Sequence, residues 1–292
     1  MRNNECTDVK YKNILVNNTD IFYREAGNAD NPHLLLLHGY PSSSHMFRNL
    51  IPLLSEQFHI LAPDLPGFGF SSVPSMLSFE YSFENYGKIL TQFLQQLNIT
   101  KTSFYLFDYG APIIMHLLSN NPSCAEYLIF QNGNIHNEGL GQGIKRSIAL
   151  FNDNSEENKF RLNKLVELEY IKWEYLNGVR DKSNIAPESY WLDHLLLERK
   201  GLKEIHLELK RNYAINLTHY EAWQKLLKEI QPPTLIVWGE FDEVFNKQGA
   251  IALHSSLVNS KIIFYPTGHF ALEEYCDEIA TEIKRFYTIR VK

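Results

Sequence analysis

The chain has 292 residues, 44% hydrophobic and 13% aromatic, enough to bury one large core or one core with an insertion. Its 34 acidic and 28 basic residues leave a net charge of -6 with no Lys/Arg cluster, which argues against nucleic acid or an anionic membrane as partner. Cys6, Cys124 and Cys276 are odd in number and lack CxxC spacing, so neither a disulfide framework nor a zinc site is indicated.

The first eight residues are polar and no later run is long enough to span a bilayer, so the expected location is the cytoplasm. Residues 11–16 and 21–25 read as paired strands around the polar turn Asn17-Asn18-Thr19-Asp20. The run His33-Leu34-Leu35-Leu36-Leu37 has the continuous apolarity of a strand buried on both faces of a parallel sheet, and it ends in His38-Gly39-Tyr40-Pro41. Met46, Phe47, Leu50, Ile51 and Leu54 lie at helical spacing, and a strand at 60–62 follows, running into the loop Asp64-Leu65-Pro66-Gly67-Phe68-Gly69-Phe70-Ser71. A second amphipathic helix, with Ile89, Leu90, Phe93, Leu94 and Leu97, leads to the apolar strand at 103–107.

That strand stops at Asp108-Tyr109-Gly110 and is followed at once by the helical Ile113-Ile114-Met115-His116-Leu117-Leu118, the pattern of a tight strand-to-helix corner that presents one reactive side chain. Another buried strand, 127–130, closes with Gln131-Asn132-Gly133-Asn134. Strands and helices alternating at this rhythm predict a mostly parallel, doubly wound α/β sheet, whose working residues gather at the carboxyl ends of the strands.

Between 135 and 230 the rhythm changes to short aromatic-rich helices, over 160–175, 191–197, 205–213 and 220–227, entered through a Gly139–Gly143 segment that reads as flexible. This predicts a helical cap at 135–230 inserted into a core made of 1–134 and 231–292. The sheet pattern resumes with a strand at 234–238 ending in Gly239-Glu240-Phe241-Asp242. A strand at 261–265 follows, then the turn Pro266-Thr267-Gly268-His269 and a last helix.

Four strand ends thus carry candidate groups: the His38–Pro41 turn, Asp108, Asp242 and His269. Asp242 has a duller reading as a turn former, Glu240 is the competing carboxylate, and the turn after Phe130 offers Asn132 and Asn134 but no acid. A carboxylate is ionised near neutral pH and can attack an electrophilic carbon without a base. His269, oriented by Asp242, is then free to activate the water that hydrolyses the resulting alkyl ester on Asp108. The N–H groups of Tyr40 and Tyr109 are the oxyanion donors the two turns would supply. His38 would brace its turn, Gly39 allow it, and Pro41 fix its shape.

As a set, the HGxP turn at 38–41, the DxPGxGxS loop at 64–71, the D-x-G corner at 108–110, the WGxxD strand end at 238–242 and the GH turn at 268–269 resemble the α/β-hydrolases of the epoxide hydrolase and haloalkane dehalogenase group. The likeness covers nearly all of the chain outside the cap. It implies the α/β-hydrolase fold with a helical cap, an Asp108–His269–Asp242 triad, and neither cofactor nor metal. No GxSxG motif occurs, which disfavours a serine esterase. Dehalogenases of the group place a Trp after the nucleophile where this chain has Tyr109, and a second halide-binding side chain where it has Tyr40; Trp173, Trp191 and Trp223 of the cap are candidate substitutes, although each also reads as a packing aromatic. Epoxide hydrolases use cap tyrosines as acids, and Tyr213 resembles one; Tyr170, Tyr175 and Tyr190 are eligible for the other. The expected substrate is a small apolar electrophile, with epoxides favoured, haloalkanes the alternative, and a non-catalytic small-molecule binder the reading from outside enzymology. Oligomeric state is not legible.

Overall fold

The computed structural model describes residues 8–153 and 155–290; the polar stretch before Asp8, with Cys6, lies outside the described residues. Eight strands, β1 (Lys10–Val16), β2 (Thr19–Ala26), β3 (His33–Leu37), β4 (His59–Pro63), β5 (Thr102–Phe107), β6 (Ala125–Gln131), β7 (Thr234–Gly239) and β8 (Ser260–Tyr265), form one sheet in the order β1-β2-β4-β3-β5-β6-β7-β8. β1, β2 and β4 pair antiparallel, and every pair from β4 to β8 is parallel. The β1–β2 hairpin turns on Asn17 and Asn18, both at positive φ, where the short amide side chain tolerates the left-handed region.

Leu34 to Leu37 and Phe104 to Phe107 are fully buried, because helices cover both faces of the sheet. α1 (Leu50–Leu54), α2 (Phe83–Gln96), α3 (Gly110–Asn120), and, further along the chain, α10 (Lys247–Ser256) and α11 (Leu272–Arg290) supply that cover. Where one long helix was expected from Met46 to Leu54, a 3₁₀ turn over Ser44–Phe47 precedes the short α1. Here the Asp64 carboxylate accepts the Ser44 N–H at 2.7 Å and ties the turn to the 64–71 loop.

Among the described residues six α-helices stand between β6 and β7: α4 (Gln142–Phe151), α5 (Glu156–Asn163), α6 (Leu168–Leu176), α7 (Pro187–Leu197), α8 (Leu202–Asn216) and α9 (Tyr220–Ile230). The helix expected over 160–175 is two, α5 and α6, because Glu167 is extended at φ -95°, ψ 160° and breaks the run. The Gly139–Gly143 segment, expected to be flexible, is fastened to the loop after β7: Gly141 N–H donates to the Val244 carbonyl at 3.0 Å, and Leu140 bridges Phe245. Among the described residues no helix is long and apolar enough to cross a membrane.

Register decides what meets at the carboxyl edge. Leu37 pairs with Leu106, Phe107 with Gln131, Gln131 with Val237, and Gly239 with Tyr265. The loops that follow β3, β5, β6, β7 and β8 therefore leave the sheet side by side.

Candidate active site

Asp108 occupies the corner between β5 and α3 at φ +48°, a conformation non-glycine residues rarely adopt and one that lifts its side chain out of the sheet edge. The crowding is resolved by two glycines. A Cβ on Gly39 would overlap the Asp108 carboxylate, and one on Gly110 would press on the Leu37 carbonyl. With those positions bare, the Tyr40 N–H donates to Asp108 Oδ1 at 2.6 Å, and the Tyr109 N–H, at the start of α3, is a second donor that favours the ionised carboxylate. The positive end of that helix adds to their effect. Burial raises the Asp108 pKa, and His269, these two donors and Lys210 oppose the rise.

His269 Nε2 lies 3.8 Å from Asp108 Oδ2, while Nδ1 lies 2.8 Å from Asp242 Oδ2. A carboxylate can only accept, so Nδ1 carries the hydrogen and Nε2 faces Asp108. Burial alone would lower the imidazole's pKa; Asp242 first, and Asp108 after it, outweigh burial and raise it to about 9. Asp242 is fully engaged, since Oδ1 accepts from Val244 N–H at 2.7 Å and Oδ2 also accepts from the Asn132 amide at 2.8 Å. Asn132, itself at φ +46°, uses its carbonyl oxygen to accept from Gly239 N–H at 3.0 Å, so β6 orients the acid that β7 carries. Glu240 turns away from this centre and pairs with Lys247 at 2.8 Å. His38 Nε2 accepts from Leu65 N–H at 3.1 Å, which leaves Nδ1 to donate to the Gly39 carbonyl at 3.0 Å; the Tyr40–Pro41 peptide is cis.

A cavity opens above Asp108, walled by Tyr40, Tyr109 and Val244 from the loops after the strands and by Ile144, Ile148, Tyr170, Glu174, Lys210 and Tyr213 from the inserted helices. Tyr170 and Glu174 stand one turn apart on α6, and Lys210 and Tyr213 one turn apart on α8. The Tyr40 hydroxyl donates to the Leu165 carbonyl at 2.7 Å and is spent there. Tyr213 and Tyr220 share a hydroxyl hydrogen bond of 2.9 Å. Because the Asn134 amide also donates to Tyr220, at 3.4 Å, the Tyr220 hydrogen can point to Tyr213 and leave the Tyr213 hydrogen for the cavity.

Residues 32–171 match the family model described as the alpha/beta hydrolase fold. An uncharacterised hydrolase of Saccharomyces cerevisiae is 39% identical over 267 residues, covering 90% of this chain and 91% of its own. The chain belongs to the α/β-hydrolase superfamily. Within it the likeness is to the dehalogenase and epoxide hydrolase group. A haloalkane dehalogenase of Bradyrhizobium diazoefficiens is 35% identical over 123 residues, 42% of this chain and 39% of that one. In fold, a haloalkane dehalogenase loop variant from Bradyrhizobium elkanii superposes with a TM-score of 0.82 at 21% identity, covering 96% of this chain and 97% of that one.

In this α/β-hydrolase the site brings together Asp108, Asp242, His269, Tyr40, Tyr109 and Tyr213, and its cavity lining does not include the three tryptophans; Trp223 is buried against His116 at 5.0 Å. Trp191 is 53% exposed on α7, and Trp173 packs on Tyr170 at 5.6 Å outside the cavity lining. Tyr175 is also elsewhere, stacked on Phe270 at 3.7 Å and donating to Asp193 at 2.6 Å. The cavity also holds Glu174 and Lys210, two ionisable groups that the sequence reading did not single out. Glu174 follows Ile171 by three positions and precedes Tyr175, both buried, so it falls on the inward face of α6. That spacing was the available signal.

Proposed function

We propose that this α/β-hydrolase opens a small electrophile by attack of Asp108, forming an alkyl ester that water, activated by His269, then hydrolyses. The observation that carries the reading is the split of duties on one carboxylate: Oδ1 is held by the Tyr40 N–H at 2.6 Å, and Oδ2 faces the His269 imidazole at 3.8 Å. In the first step Oδ2 is the attacking atom. In the second, Oδ1 becomes the ester carbonyl oxygen, already seated on the Tyr40 N–H, which together with the Tyr109 N–H would stabilise its oxyanion. At 3.8 Å the imidazole is beyond direct hydrogen-bond range but within reach of a water placed between it and the ester. Asp242, fixed by Asn132 and Val244, holds the ring tautomer and stabilises the imidazolium that forms.

An epoxide is the favoured substrate. The side chains at 40 and 109 are tyrosines, and one of the two hydroxyls is already committed to Leu165, which weakens a halide cradle. The Tyr213 hydroxyl supports the epoxide reading, because it can hydrogen-bond the ring oxygen. The helices between β6 and β7 act as a cap that keeps bulk water from the ester.

Single-turnover hydrolysis of styrene oxide in ¹⁸O-water should place label in the Asp108 carboxylate, and His269→Gln should accumulate a covalent adduct on Asp108 visible by mass. A His269→Gln protein that stays unmodified by every epoxide and bromoalkane, while the parent also turns none over, would leave only the non-catalytic binder.

A further inference from the structure

The triad does not use Glu174 or Lys210, yet both wall its cavity. Glu174 is 4% exposed and its Oε2 has no hydrogen-bond partner among the described residues. An orphaned buried carboxyl oxygen is costly unless the group is neutral or meets a ligand. Lys210 is half-buried, with its ammonium 3.4 Å from the centroid of the Tyr40 ring and 5.0 Å from that of Tyr170. The ionisable groups facing Glu174 are Tyr170 on its own helix, Lys210 on α8, Tyr40 and Tyr109 on the two turns, Asp108, and His269.

We propose that Glu174 is the acid that protonates the oxygen released when Asp108 opens an epoxide, and that the Lys210 ammonium stabilises the carboxylate left behind. This rests on the Asp108 ester reading given above. Charge favours a neutral oxygen electrophile over an anionic one: His269 and Lys210 as cations balance Asp108 and Asp242 as anions when Glu174 is protonated, and a substrate carboxylate would be a third anion in a closed space. The phenols cannot easily take the same part. Burial pushes Tyr170 and Tyr213 well above 10, so they serve as hydrogen-bond donors that keep their protons. Burial also raises Glu174 to about 8, against the opposing pull of Lys210, which keeps a proton on it at neutral pH.

The protons close. Asp108 Oδ2 forms a bond to carbon as the ring C–O bond breaks, and the freed oxygen takes the Glu174 proton. His269, having lost the Asp108 charge, passes its own proton through water or the new hydroxyl to Glu174. The neutral imidazole then takes a proton from water as its oxygen adds to the ester carbonyl. Collapse breaks the ester C–O bond, the departing oxygen takes the proton of the added hydroxyl to complete the diol, and Asp108 is left a carboxylate beside the imidazolium and the Glu174 acid, so the sum is epoxide plus water to diol.

The test follows adduct formation by mass in a His269→Gln background, comparing styrene oxide with an alkyl bromide, whose leaving group needs no proton. Glu174→Gln should slow alkylation by the epoxide about 100-fold or more relative to alkylation by the bromide. It should also abolish the fall of epoxide rate at alkaline pH that ionisation of Glu174 imposes, and Lys210→Met should reduce the epoxide rate more than the bromide rate. Equal slowing of both electrophiles, or an unchanged alkaline limb, would overturn the proton-donor assignment. Failure of both electrophiles to modify Asp108 with Glu174 intact would instead remove the ester reading beneath it.

Discussion

At the scale of single residues, the imidazole of His269 is the group whose charge sets the timing of the proposed chemistry. With its pKa at about 9 it is an imidazolium in the resting protein, held so against burial by Asp242 and Asp108. An imidazolium cannot accept a proton from water, so the base has to be released by the first step. Esterification does this, because it erases the charge of Asp108 while leaving that of Asp242. Asp108→Asn mimics the erased charge and should lower the His269 pKa from about 9, read from ring ¹⁵N shifts across a pH titration; a value unchanged or higher would show that Asp108 does not govern the imidazole. The same shift has a sign in stability. The folded pKa lies above the 6.5 of an unfolded histidine, so the contribution, on the order of 3 kcal/mol, is fully present below pH 6.5 and is lost as pH rises through about 9. Asn132 belongs at this scale too. Asn132→Ala leaves one lone pair of Asp242 and the Gly239 N–H without their partner, and it should slow hydrolysis of the ester about 10- to 100-fold with less effect on its formation, measured as burst amplitude against steady state.

Between elements, the seam joining the inserted helices to the sheet is polar at one end and aromatic at the other. At the polar end Arg48, just past the 3₁₀ turn after β3, donates to both Glu273 oxygens of α11, at 3.0 and 2.8 Å, and to Ser189 of α7 at 3.0 Å. One guanidinium thus ties three elements in a fork that lysine cannot copy. Arg48→Met strands the Glu273 carboxylate, 4% exposed, and should cost about 3 kcal/mol, seen as a lower denaturant midpoint at unchanged slope, with Arg48→Lys recovering only part. A midpoint that does not move would mean that the fastening runs elsewhere, through His206 to the Gly67 carbonyl and Arg199 to that of Ser71. This level also explains what the sequence could and could not reveal. Continuous apolar runs such as Leu34–Leu37 and Phe104–Phe107 have one sensible place, inside a parallel sheet, and the turn chemistry at their ends was readable for the same reason. The α5–α6 break and the pinned Gly139–Gly143 segment depend on contacts with distant loops, which local periodicity does not carry. Asn132 and Arg48 act through partners more than 100 residues away, and nothing in their neighbourhood along the chain announces them.

For the molecule as a whole, placing an ionisable pair in the cavity makes fold stability a function of its protonation. Glu174 has its folded pKa raised by burial from 4.5 to about 8, so between those values the folded protein holds a proton that the unfolded chain has given up, and stability falls as pH rises through that window. His269 falls in the same direction over an overlapping range. Lys210 runs opposite, because burial lowers it from 10.5 to about 8 and its contribution grows only from there upward. Glu174→Gln isolates the first of these: glutamine matches the neutral acid in shape and cannot ionise. Below pH 4.5 the two proteins should be nearly equal in stability, and the variant should gain steadily up to pH 8, by on the order of 5 kcal/mol, as a difference in unfolding free energy measured in urea at each pH. A variant less stable than the parent across the whole range would mean that the Glu174 carboxylate is a favourable partner of Lys210 in the resting fold. A gain that grows with pH, together with the selective loss of epoxide alkylation, would show one buried proton serving two purposes: it lets a carboxyl group lie beside the nucleophile at neutral pH, and it is the proton the opened ring requires.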